Sequence, residues 1–99
     1  MFLGKVVGTV WATRKDEELV GLKFQIVKHV GLDYKLKETF VVAVDTVQAG
    51  VGDVVLVCSG SSARQTAQTK NKPVDAVVMA IVDKLDVPIK EILTEKSTL

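Results

Sequence analysis

One cysteine, two prolines, one histidine and five aromatic side chains are all that this 99-residue chain has of those residue types, and each shortage removes a class of function. Cys58 has no partner for an internal disulfide, and its place at the end of an apolar run offers neither a basic neighbour nor a helix amino terminus to activate the thiol. His29 alone makes no histidine metal cluster, and a Ser-His-Asp arrangement would hang on this one strand residue. Prolines at 73 and 88 only, with no Ser-rich linker, repeat or low-complexity tract, mark one continuous unit. Charge of one sign is scarce as well: 13 basic against 12 acidic residues leave a net +1, so no global field favours nucleic acid or an anionic membrane. No apolar run approaches the roughly 18 residues of a membrane helix. Met1-Phe2-Leu3-Gly4-Lys5 lacks the layout of a signal peptide, so the expected location is the cytoplasm, with no membrane partner.

What the chain has in quantity is apolar surface. Hydrophobic residues make up 47% of it and the mean hydropathy is +0.28, high for a domain that buries only about 65% of its unfolded surface. The excess predicts self-association. Five apolar runs, cut by Gly, Asp and Lys clusters, predict an all-β domain: Phe2 to Thr13, Leu19 to Val30 (alternating in part as Leu22, Phe24, Ile26), Thr39 to Val44, Asp53 to Cys58, and Val74 to Val82. The first two form a hairpin around the charged turn 14–18. Gly4 and Gly8 predict bends or bulges that let a small sheet curl. Val54 to Val57 and Val77 to Val82 are continuously apolar, which implies cover on both faces, more than one small domain supplies. Helix is expected only at Ser61 to Gln68, with a Ser pair to cap it, and after Asp86, where Pro88 fits a first turn and Ile89, Ile92 and Leu93 line one side. The domain is placed at 1–84 and a carboxyl-terminal extension at 85–99.

Candidate chemistry is thin. Asp45, Asp53, Asp75 and Asp83 each edge an apolar run, where Asp usually caps a turn; without a second type of catalytic group nearby they predict turn and interface roles rather than acid-base work. Gly50-Val51-Gly52 precedes a strand, not a helix, so it is no phosphate loop. Ser59-Gly60-Ser61-Ser62-Ala63-Arg64 fits either an anion cradle or the cap of a short helix, the cap being the better match; repeated around a symmetry axis, its hydroxyls would line a narrow polar opening. No catalytic residue, metal ligand or cofactor is expected. A curled barrel also raises single-stranded nucleic-acid binding, but Phe2, Trp11, Phe24, Tyr34 and Phe40 mostly sit inside apolar runs and the basic residues are scattered.

Read in order, Gly4-Lys5-Val6-Val7-Gly8-Thr9-Val10, Leu19-Val20-Gly21-Leu22-Lys23, Ala43-Val44-Asp45, Ala49-Gly50-Val51-Gly52-Asp53, Gly60-Ser61-Ser62-Ala63-Arg64 and Pro73-Val74-Asp75-Ala76 resemble the EutN/CcmL family of bacterial microcompartment vertex proteins. The resemblance runs from about residue 1 to Asp83. It implies a small closed five-stranded OB-like β-barrel with one short helix, assembling as a pentamer that caps the corners of a polyhedral shell beside hexameric shell proteins. No enzyme activity, cofactor, metal or nucleic-acid partner is implied. Ala80 departs from the family, which usually has Gly before Ile-Val-Asp, and the 31–37 loop and the tail after Lys84 are individual.

A closed ring joins two different patches of each subunit, one meeting the other on the next copy. Asp45, Ala49, Gly50, Gly52, Gly60, Ser61, Ser62, Arg64 and Asp75 are the candidate interface or pore residues. Gly50 and Gly52 would allow close approach or positive φ at a seam, the Ser61-Ser62 loop would face the central axis, and Arg64 would pair across the seam with Asp45 or Asp75.

Overall fold

Short runs of Val and Ile need a partner on each edge and cover on at least one face, and in a chain of this size closure meets both needs. The computed structural model describes residues 1–92, the side chain of Ser62 excepted. Five strands, β1 (Phe2–Val10), β2 (Phe24–Val30), β3 (Leu36–Asp45), β4 (Val54–Ser59) and β5 (Ala76–Ile81), form a closed barrel in the order β1-β2-β3-β5-β4. Neighbours are antiparallel except β3 and β5, which run parallel and share two residue pairs, Val44 with Val77 and Asp45 with Val78. This is the all-β five-stranded OB-like barrel that the sequence and its resemblance imply.

Glycine shapes the first strand. The β1–β2 register slips between Val6 and Gly8, leaving Val7 as the extra residue of a bulge, so the bend expected at Gly8 is present. Gly4 has a different job. A Cβ there would strike Val27 Cγ1 and come within 2.9 Å of the Lys28 carbonyl oxygen, so β1 passes β2 at a spacing only glycine allows.

The barrel is filled by small branched side chains: Val6, Val27, Ala43, Val55, Val57, Ala76 and Val78, with Phe2, Val41 and Val47 packed against them. A second cluster lies outside the wall, where Val44, Ala63, Val74 and Val77 are covered by Leu19, Leu22 and Phe24. The alternation Leu22, Phe24, Ile26 therefore does not mark the barrel interior. On β2 the inward residues are Gln25 and Val27, and Phe24 serves the outer cluster.

Element ends differ from the apolar runs for identifiable reasons. The second run starts five residues late as a strand, because the Asp16 carboxylate accepts the Glu18 N–H and caps a 3₁₀ turn at Glu17–Leu19, and Gly21 then turns the chain with φ +86°. The expected helix at Ser61 to Gln68 is a 3₁₀ segment, Gly60–Gln65, so the Ser pair expected to cap it lies inside the segment; Ser59 occupies the cap position instead and makes no side-chain cap hydrogen bond. Gly60 opens the segment instead, with φ +69° and its N–H donated to the Asp75 carbonyl at 2.8 Å, which prolongs the β4–β5 ladder. Buried Thr69 ties down the far side through its hydroxyl, which donates to the Ala63 carbonyl at 2.6 Å.

Beyond β5 the Val82 N–H donates to the Val54 carbonyl and the Leu85 N–H to the Tyr34 hydroxyl at 2.8 Å. Residues 89–92 make the start of the expected helix, with the Glu91 N–H on the Pro88 carbonyl; Leu93 lies outside the described residues. Among the described residues no helix is long and apolar enough to cross a membrane.

Candidate functional site

The nine candidate residues fall into two groups. The first is built around Gln25, a fully buried amide inside the barrel. It accepts from the Thr9 hydroxyl at 2.8 Å and donates to the Ala49 carbonyl at 2.8 Å and to Asp45 Oδ2 at 3.2 Å. The other oxygen of Asp45 accepts the Val47 N–H at 3.0 Å. Asp45 is thus an anchor for the loop leaving β3, and Ala49 is buried beneath that loop. From there the chain makes a tight turn: the Asp53 N–H donates to the Gly50 carbonyl at 3.0 Å, the Gly50 N–H donates to Asp53 Oδ2 at 2.8 Å, and Gly52 has φ +99°. The turn is stitched to β1 by Gly52 N–H to the Val6 carbonyl at 2.8 Å and Val6 N–H to the Asp53 carbonyl at 3.0 Å. Positive φ at Gly52 is realised. A Cβ at Gly52 would meet nothing within 4 Å in the same chain, so conformation, not crowding inside the protomer, demands glycine there.

The second group gathers where the 3₁₀ segment meets the start of β5. Gly60 is bonded to Asp75 through the backbone, Ser61 is exposed, and Arg64 Nη1 donates to the Val74 carbonyl at 3.2 Å. In the protomer, then, Arg64 braces the strand entry, while the Asp45 carboxylate is taken up by Gln25 and Val47. Asp75 is exposed beside this group.

The histidine and cysteine have ordinary surroundings. The His29 ring stacks on Phe2 with centroids 4.1 Å apart and its Nδ1 lies 2.9 Å from the Thr39 hydroxyl. Cys58 is a half-buried free thiol in β4. Among the described residues no three His, Cys, Asp or Glu side chains converge on a metal position.

Two features escaped the sequence reading. Gln25 was hidden because a lone amide between Phe24 and Ile26 looks like the polar half of an alternation; the reversal of that alternation, with Val27 buried, is the signal that exposes it. The second is how far some aromatics project: Trp11 is 88% exposed and Phe40 59%, although both belong to apolar runs. Val7, Val42, Met79 and Ile81 are also exposed. The surplus apolar surface expected from composition thus lies on the outer wall and rim of the barrel.

The EutN_CcmL family model, described as ethanolamine utilisation protein EutN/carboxysome, matches residues 1–83. The carboxysome shell vertex protein CcmL of Thermosynechococcus vestitus is 42% identical over 83 residues, covering 84% of each chain. The bacterial microcompartment shell vertex protein GrpN of Rhodospirillum rubrum is 43% identical over 86 residues, 87% of this chain and 97% of that one. Among solved structures, CcmL of Nostoc sp. PCC 7120 superposes with a TM-score of 0.85 at 41% identity, covering 88% of this chain and 94% of its own. The pentameric shell protein GrpN superposes at 0.81 with 42% identity, covering 89% of this chain and all of its own. With the family model spanning the barrel and relatives this similar in both sequence and shape, the chain belongs to the EutN/CcmL family.

Proposed function

We propose that this protein is a structural subunit of a bacterial microcompartment shell, forming a five-membered ring that caps a vertex. The observation that carries the reading is the family match over residues 1–83, joined to the fit of the barrel to a pentameric shell protein at TM-score 0.81. Physics makes the role intelligible. A sheet of six-fold tiles is flat, and five-fold units at the corners supply the curvature that closes it. The neighbours are accordingly hexameric shell proteins, and the ring acts by shape, without catalysis, cofactor or nucleic acid. The barrel at 1–84 does this work and 85–99 is an extension. Relatives bearing vertex-protein names favour this over single-stranded nucleic-acid binding.

Native mass spectrometry tests the ring: the expected species has five times the 10.7 kDa subunit mass, and a monomer at micromolar concentration would overturn the reading. In this arrangement the Gly50–Asp53 turn lies at the subunit seam and the Ser61-Ser62 loop faces the five-fold axis, with Arg64 available to a carboxylate of the next copy. Gly52→Val, which forces a β-branched residue to φ +99°, is expected to lose the five-subunit mass while leaving monomer or aggregate. A variant that keeps the five-subunit mass would remove that turn from the seam.

A further inference from the structure

Resting on the ring reading, we propose that the seam joins two apolar patches on opposite flanks of the barrel wall, Ile26-Phe40-Val42 on one copy and Leu3-Leu56-Ala80 on the next.

Register defines both patches. Residues directly opposite one another in an antiparallel pair point to the same face. On β2 and β3, Val27 and Ala43 enter the barrel core, so their neighbours Ile26 and Val42, paired across the two strands, point outward; Phe40 is two residues before Val42 on the same face. On the other flank Val55 and Val57 enter the core, so Leu56 points outward, with Leu3 opposite it on β1 and Ala80 opposite it on β5. A solvated barrel wall ordinarily carries polar residues at such positions. Here six outward positions carry no charge and no hydrogen-bonding side chain.

The patches are separate. Lys5 and Lys28 stand opposite each other on β1 and β2, and Lys28 is opposite Phe40 on β3, so a pair of ammonium groups parts the two flanks. Their shapes also differ. Phe40 and Val42 are exposed and Ile26 half-buried, whereas Leu3, Leu56 and Ala80 are all half-buried, with the short Ala80 side chain on one side of Leu56 and Leu3 on the other. Two different patches on a single chain are what a heterologous contact requires, since each copy then offers one half to each neighbour, and in the ring the rotation between copies closes the series. A second copy is therefore the occupant. An interface of standard size takes about 800 Å² from each partner, more than three side chains present, so the seam continues over flanking loops.

The test uses two full-length variants, Val42→Asp and Leu56→Asp, examined by native mass spectrometry alone and as an equimolar mixture, with circular dichroism confirming the β-sheet spectrum. Each alone is expected to be monomeric. The mixture is expected to yield a two-subunit species, because the intact Leu56 patch of one variant meets the intact Val42 patch of the other and the remaining halves are spoiled. A five-subunit mass for either variant, or a mixture of folded chains that stays monomeric, overturns the seam. If either aspartate variant loses its β-sheet spectrum, Phe40→Ser and Leu3→Gln replace the pair, with the same outcomes deciding. Failure of the vertex reading looks different: there the unmodified protein itself lacks the five-subunit mass.

Discussion

Gly4→Ala is expected to lower the melting temperature by roughly 12–20 °C, corresponding to about 3 kcal/mol in a domain of this size. The added methyl collides with Val27 Cγ1, itself fully buried, and with the Lys28 backbone oxygen at 2.9 Å. A side chain could rotate away, but a carbonyl of the paired strand moves only if β1 and β2 separate, and Gly4 is also paired to Val55 of β4. Strain would thus spread to three strands. The check is a thermal melt followed by circular dichroism at one fixed subunit concentration, since assembly makes the midpoint concentration-dependent. A shift under 3 °C would show that the strands have slack there.

Gln25→Leu is expected to cost about 3 kcal/mol, although it replaces a polar residue by an apolar one of similar size in a core. The leucine leaves the Ala49 carbonyl and one Asp45 oxygen without their donor and the Thr9 hydroxyl without its acceptor. Urea titration measures the loss. Thr9→Val, which removes a single partner, serves as the comparison at about 1 kcal/mol. Equal midpoints for Gln25→Leu and the unmodified protein would mean that the amide does not organise the loop between β3 and β4.

These two positions mark where sequence reasoning reached and where it stopped. The number of strands and the first hairpin were legible, because Val-rich runs punctuated by Gly and Asp have little alternative in so short a chain; the placing of β5 between β3 and β4 was not. The bulge was legible too, since Gly8 sits inside a run that must bend. Facing was not. Leu22, Phe24 and Ile26 carry the visible alternation, yet a second hydrophobic cluster outside the wall claims Leu22 and Phe24, and period-two patterning alone does not say which of two apolar faces is inside. The serine-rich loop misled for a related reason: the Ser61-Ser62 pair has a cap's composition, but the β4–β5 ladder runs on to the Gly60 N–H, so the segment starts before the pair. Among candidate site residues, the positive φ of Gly52 was foreseeable from the Gly-Val-Gly spacing beside a strand. The engagement of Asp45 by Gln25 was not, being a contact across 20 residues.

The two-pair parallel junction of β3 with β5 has a consequence for how a subunit comes into being. Those contacts span 33 residues, and the closing strand follows the other four strands along the chain. Until Ala76–Ile81 is in place, β4 has an empty edge and the flank holding Leu56 lacks Ala80. If the seam proposed above holds, a chain that lacks β5 would carry the Ile26-Phe40-Val42 patch complete and the Leu3-Leu56 patch without Ala80, and could join a ring only through the first.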